Sequence, residues 1–253
     1  MEEKSPKQQE CERLNQILRR VQLDASRAQK RFPDLTDPEI FSWHSTVLIR
    51  VAEEICLRQQ RRKFEIDEYN KKLLRFLLYY FNDCELALEV FPEKNYKLEK
   101  NLLIIGKAGV GKTLLMQIFS EYLRRTNNPN FFYNLSVTQM VNYYTIHNNL
   151  DRYTFNEEAG GGFEGKPFNV CLNDIGLESR LHYGQDTAIL TIDFLHARNE
   201  IWTQTGQDTR KFAHLTTNLS ITELTKKFSD DHNRLIDRFK TYNVIELKGE
   251  SRR

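Results

Sequence analysis

The sequence predicts an α/β protein, a five-stranded parallel sheet flanked by helices, with a small α-helical region ahead of it. Three observations lead there. From Asn101 onward, short apolar runs alternate with segments of helical period, the pattern of βαβ units. Before that point the apolar residues repeat only at helical spacing. At the junction, the first apolar run leads directly into a glycine-rich loop and then a helix.

The helical region comes first. Leu14, Ile17, Leu18 and Val21 recur at helical spacing over residues 8–31. Pro33 and Pro38 interrupt the pattern. A second helix is expected over 38–63, apolar at Phe41, Val47, Leu48, Val51, Ala52 and Ile55. It ends in the basic run Arg58, Arg61, Arg62 and Lys63, which reads as a solvated helix end or as a contact for DNA or an acidic partner. Residues 65–90, dense in Leu, Tyr and Phe, form a third helical stretch that Pro92 closes. The boundary near residue 95 divides a helical region, 1–95, from an α/β domain, 96–253.

Within that domain, strands are expected at 102–106, 131–135, 168–174, 212–218 and 244–247. Helices are expected from Gly111 to about Arg125, from Val137, over 186–203 and over 221–240. Asn127, Asn128 and Pro129 make a turn, and the glycine-rich stretch 156–167 reads as a mobile loop.

The loop after the first strand is GKAGVGKT, with Gly106, Gly111, Lys112 and Thr113 in the spacing of a phosphate-binding loop. Glycines let the backbone wrap tightly and aim N–H groups at phosphate oxygens, and the following helix contributes its positive end. The cradle comprises Gly106, Lys107, Ala108, Gly109, Val110, Gly111, Lys112, Thr113 and Leu114. Lys112 neutralises the β- and γ-phosphates and the Thr113 hydroxyl ligates Mg²⁺. The expected ligand is a nucleoside triphosphate, ATP with Mg²⁺.

Composition limits the alternatives. The 253 residues are 40% hydrophobic and 28% charged, with a net charge of +2, so any nucleic-acid contact must come from a local patch. Cys11, Cys56, Cys84 and Cys171 contain no CxxC pair, which argues against zinc and for reduced thiols. The polar start MEEKSPKQQE has no signal-peptide core, and no apolar run approaches the roughly 20 residues of a membrane span. A cytoplasmic protein without membrane contact is expected.

ATP hydrolysis needs carboxylates on a second strand tip, one for the metal and one for the attacking water. The third strand supplies VCLNDIG. Asn173 stands where a metal-directed Asp is expected and Asp174 in the catalytic place, so Asp174 could serve both roles as catalytic residue and metal ligand. The plain alternative is a surface turn after a core strand. The fourth strand ends in HLTTNLS, whose Asn218 would face the γ-phosphate and orient water. Later come Arg234 and Arg238 in NRLIDRF and a terminal GESRR. A late arginine can reach the γ-phosphate of a neighbouring subunit.

GKAGVGKT, VCLNDIG, the Tyr183–Gly184 pair, FAHLTTNLSITEL, RLIDRF and GESRR follow one another in that order over residues 101–253. Together they resemble the DnaC/IstB-like branch of the AAA+ ATPases. The resemblance implies a three-layer P-loop sandwich with strand order 5-1-4-3-2. It implies Asn218 as first sensor, Arg234 as arginine finger in a self-associated assembly, and Arg253 as a second nucleotide sensor. It implies an ATPase that, as a replicative helicase loader, holds the helicase through its N-terminal helices and assembles on single-stranded DNA. An IstB-like helper of transposition is the alternative, and Asn173, a departure from the usual acidic pair, leaves room for slow hydrolysis or a non-enzymatic nucleotide-binding module. The N-terminal helices show no such resemblance and could equally form a structural bundle.

Overall fold

The computed structural model describes residues 32–160, 165–176, 181–182, 185–205, 211–228 and 238–251. The helix expected over 8–31 lies outside them.

Helix α1 (Pro38–Gln60) begins where Pro38 can follow a capping residue without losing a hydrogen bond. The Asp37 carboxylate accepts from Glu39 N at 2.8 Å and from Ile40 N at 3.4 Å. Its inner face repeats every three or four residues: His44, Leu48, Val51, Ala52, Ile55 and Cys56. The helix stops three residues earlier than the sequence suggests, because Arg61 turns left-handed (φ 52°) and returns its N–H to Leu57 O. The third helical stretch is two helices, α2 (Lys71–Phe81) and α3 (Leu86–Val90). Between them Asp83 is left-handed (φ 53°), and the Asn82 side chain bonds back to Leu78 O at 2.7 Å, taking an acceptor from the ending helix.

The expected strands all form: β1 (Asn101–Ile105), β2 (Tyr133–Ser136), β3 (Val170–Ile175), β4 (Ala213–Thr217) and β5 (Tyr242–Glu246). They are parallel in the order β2-β3-β4-β1-β5, the order the AAA+ resemblance implies. Helices α4 (Lys112–Arg125), α5 (Val137–His147), the single turn α6 (Glu157–Gly160), α7 (Thr187–Gln204) and α8 (Ile221–Lys227) connect them. Ser136 with Gln139 caps α5 and Ser220 with Glu223 caps α8, each through a reciprocal capping box. A short antiparallel ribbon, Leu181–His182 against Gln185–Asp186, precedes α7 and has no counterpart in the sequence reading.

The stretch read as a mobile loop is anchored at its described ends. Asp151 accepts from Glu157 N and Glu158 N at the start of α6. Asn156 bonds Lys166 O at 2.8 Å, and its own carbonyl accepts from Lys166 N.

Both sheet faces are covered, so the strands are apolar on both sides. Leu102, Ile104, Cys171 and Ile245 face one core with Met116, Phe119 and Leu123 of α4. Leu103, Val170, Leu172 and Leu215 face the other with Val141 of α5, Phe194 of α7 and Leu224 of α8. Three layers result, as expected. Asparagines sew the starts of the strands together: Asn101 accepts from Ala213 N at 2.8 Å and Asn169 from Phe212 N at 2.9 Å.

Packing does not break near residue 95. Leu48 and Ile55 of α1 and Leu77 and Phe81 of α2 share the first core with β1 and α4. The compact unit accordingly starts at Asp34, not at 96. A buried polar network joins the same elements. The Tyr122 hydroxyl of α4 accepts from Asn82 Nδ2 at 3.1 Å and lies 2.7 Å from His44 Nδ1. Asn128 completes it, donating to Asn82 Oδ1 at 2.8 Å. Arg125 adds a fork across the surface to Glu54 of α1, at 2.8 and 2.9 Å. Among the described residues no helix is long and apolar enough to cross a membrane.

Candidate nucleotide site at the tips of the parallel strands

The C-terminal ends of β1, β3 and β4, adjacent in the sheet, meet at one rim, the place where open parallel sheets bind ligands. The phosphate loop leaves β1 there. A side chain at Gly106 would bring its Cβ to 2.4 Å from Leu247 O, which only glycine avoids. Gly109 (φ 85°) lies under Ser251, whose Oγ would be 2.3 Å from an added Cβ. Gly111 opens α4 and no side chain caps that end, so its backbone donors face the loop. The Lys112 ammonium is buried and folded back, donating to Gly106 O at 2.8 Å, to Lys107 O at 3.0 Å and to Asn218 Oδ1. The loop is thus a ready cradle whose cation is held by backbone carbonyls and the Asn218 amide oxygen, and phosphate oxygens offer it charge-assisted bonds.

The tip of β3 departs from the expected division of roles. Asp174, not Asn173, faces the loop: Thr113 Oγ1 donates to Asp174 Oδ2 at 3.4 Å. Asp174 is left-handed (φ 59°), and the β3–β4 register slips between Leu172 and Ile175, which turns this carboxylate toward Thr113. Its N–H donates to Thr216 Oγ1 at 2.9 Å. Asn173 is buried in the sheet. Its Nδ2 donates to Asn134 Oδ1 at 3.2 Å and to Leu135 O at 3.4 Å on β2, and its Oδ1 accepts from Thr216 Oγ1 at 3.3 Å. It therefore links β2, β3 and β4 laterally, and its side chain is not turned toward the metal place expected of it. Ile175, the next residue, is fully buried. Asp174 is the one carboxylate of residues 173–176.

Three contributors escaped the sequence reading. Thr216 and Thr217 fasten the β3 and β4 tips, the latter donating to Ile175 O at 2.7 Å. Lys227, at the end of α8, clasps the Gly176 carbonyl beside Asp174. The repeated Thr-Thr before Asn218 was the only signal of the two threonines. Of the late arginines, Arg238 donates to His196 Nδ1 on α7. Arg234, Arg253 and the Tyr183–Gly184 pair lie outside the described residues.

Among the described residues no three His, Cys, Asp or Glu side chains gather to hold a metal. Mg²⁺ needs less: one or two protein oxygens, with phosphates and water completing an octahedron. The Thr113 hydroxyl and the Asp174 carboxylate are hard oxygens, a few ångströms apart beside the cradle, and they fit that requirement.

No protein-family model matches the sequence. No curated protein matches it either. Among solved structures the chain is similar to a DnaC helicase loader, at 16% identity over 73% of this chain and 93% of that one, with a TM-score of 0.47. It is also similar to AMPPCP-bound DnaA from Aquifex aeolicus, at 17% identity over 74% of this chain and 49% of that one, with a TM-score of 0.42. This chain spans about half of that DnaA structure. Independently of these likenesses, the five parallel strands in the order β2-β3-β4-β1-β5, with a phosphate loop after the interior strand β1, match the strand order of the AAA+ fold.

Proposed function

We propose that the chain is an ATP-driven switch of DNA replication, a DnaC-like loader of the replicative helicase, working with Mg²⁺. The observation that carries this reading is the convergence of Lys112, the Thr113–Asp174 pair and Asn218 on three adjacent strand tips. In the nucleotide complex Lys112 exchanges its carbonyl partners for β- and γ-phosphate oxygens. Asn218, released from Lys112, is then free to orient the attacking water. Thr113 and Asp174 would hold Mg²⁺, which when bound would supply positive charge beside the phosphate oxygens. Asp174 carries both the metal and the water duties, so turnover is slow. Arg234 of a neighbouring subunit completes the site, and Arg253 reports on the bound nucleotide.

The helical region gives the switch its output. Tyr122 and Arg125 sit on α4, the helix that begins in the phosphate loop, and both bond to α1. A shift of α4 on nucleotide binding therefore moves α1, through which the N-terminal region holds the helicase. ATP favours assembly on single-stranded DNA, and hydrolysis releases the helicase. The test is co-purification of the tagged full chain with the host's replicative helicase, with ATP and with ADP. Capture that is stronger with ATP is expected. No capture with either nucleotide, or ATP-dependent filaments on duplex DNA instead, would overturn the loader reading.

A further inference from the structure

The elbow between α1 and α2 presents cations and one aromatic ring in a way that packing does not require. Residues 58–72 carry six Lys/Arg against three Asp/Glu. Arg58, Arg61 and Lys63 are exposed, and among the described residues none of them forms an ion pair. Just beyond, Ile66 and Tyr69 are each 49% exposed. The backbone that carries Tyr69 is held firmly. Asp67 Oδ1 accepts from Tyr69 N and from Asn70 N, both at 2.9 Å. Asn70 closes the turn by accepting from Asp67 N at 3.0 Å and donating to Glu65 O at 2.9 Å. An Asx turn of this kind fixes the backbone that carries the ring, at low cost in further ordering. Asp67, one of the three local carboxylates, is taken up by the turn.

The elbow also reaches the nucleotide site. Gly249 (φ 130°) lies so close to Tyr69 that an added Cβ would sit 3.8 Å from the ring. Two residues on, Ser251 rests against Gly109 of the phosphate loop, and two residues before, Leu247 O rests against Gly106. A single strap, residues 247–251, therefore touches the loop at two points and Tyr69 between them.

From this we propose that the elbow is a binding surface for single-stranded nucleic acid, with phosphates on Arg58, Arg61 and Lys63 and a base stacked on Tyr69. Flexible cations beside an exposed aromatic face are the sequence-tolerant means by which proteins hold unpaired strands. A duplex keeps its bases stacked on each other and cannot use the ring. The strap ties this surface to the phosphate loop, so the nucleotide state alters the grip. The inference rests on the proposed action at single-stranded DNA and names the surface that performs it.

The test is fluorescence anisotropy of a labelled 20-mer of deoxythymidine with the full chain, across a salt series and with ATP or ADP. Variants are R61E/K63E, Tyr69→Ala and Tyr69→Phe, each first shown to melt and to bind ATP like the wild type. The charge reversal is expected to weaken binding at least tenfold and to flatten the salt dependence by about two phosphate contacts. Tyr69→Ala is expected to cost about fivefold or more and Tyr69→Phe little, because stacking needs the ring and not the hydroxyl. Wild-type binding that the variants leave unchanged overturns the elbow as the surface while leaving the function reading intact. A variant that keeps the oligonucleotide but loses the helicase makes the elbow a protein-docking surface and overturns the proposal. Wild-type protein that binds no oligonucleotide removes the single-strand part of the function reading, and the proposal with it.

Discussion

Replacing Tyr122 by Phe removes one oxygen atom from the point where α1, α2 and α4 meet. That oxygen accepts from Asn82 Nδ2 and shares a hydrogen bond of 2.7 Å with His44 Nδ1, whose direction the imidazole tautomer sets. Burial lowers the His44 pKa, which favours the neutral ring. In Tyr122→Phe, Asn82 Nδ2 keeps Leu78 O at 2.7 Å, so that end loses about 0.5–1.5 kcal/mol. His44 Nδ1 is left in a buried site without its partner, which costs about 1–3 kcal/mol. The ring itself fills the same space, so no cavity term is added. A total of roughly 1.5–4.5 kcal/mol should lower Tm by about 3–18 °C in a unit of this size, at roughly 2–4 °C per kcal/mol. The assay is thermal and urea unfolding of the full chain, with Tyr133→Phe as control, since Tyr133 is 54% exposed. A change under about 0.5 kcal/mol at Tyr122, within the range of surface substitutions, would refute the reasoning. So would a melt in which α1 and α2 unfold apart from the sheet.

Three further outcomes follow from the geometry. Asn173→Asp places a carboxylate against Asn134 Oδ1, Leu135 O and Cys171 O, all acceptors, so it should destabilise by about 2 kcal/mol or more and fail to raise turnover; faster hydrolysis at unchanged stability would show that Asn173 can face the metal. Asp174→Ala should leave ATP binding within severalfold of wild type and reduce hydrolysis about a hundredfold or more; phosphate release measured at saturating ATP decides it. Stability should also fall with acid. His214 is fully buried among aromatic rings with its pKa pushed down to about 3, and its Nδ1 accepts from Leu102 N. It stays neutral when folded but takes a proton when unfolded below about pH 6.5, so its contribution is intact above pH 6.5 and is lost as pH falls toward 3. Between pH 6.5 and 5 the loss is about 2 kcal/mol, with His44 shifting in the same direction. Equal urea midpoints at pH 7 and pH 5 would contradict it.

The phosphate loop and all five strands were legible because their signals are local: an apolar run, a glycine spacing, a capping pair at Ser136 or Ser220. The order of the strands came only with the family resemblance, since no single run states its neighbours. What stayed hidden depends on distant partners. Asn173 reads the same whether it serves a metal or a neighbouring strand, and its partner Asn134 is 39 residues away. The left-handed Asp174 and the register slip that aim its carboxylate have no sequence signature of their own. The division near residue 95 looked natural because the hydrophobic period changes there. Period reports the type of element, however, and not which elements share a core, and Phe81 packs against Phe119 and Phe132 across that line. The break between α2 and α3 was masked by apolar residues that continue on both sides of Asn82 and Asp83.

The central claim is that the loop from Gly106 to Thr113 holds a nucleoside triphosphate with Lys112 on its phosphates. Titration of a fluorescent ATP analogue with Mg²⁺ into wild type and Lys112→Ala, with melting curves to confirm both are folded, tests it directly. Saturable binding by the wild type is expected, weakened by about tenfold to a hundredfold in the variant, the worth of roughly 1.5–3 kcal/mol of charge-assisted hydrogen bonding. Equal affinities in folded wild type and variant, or no binding by the wild type, would contradict it.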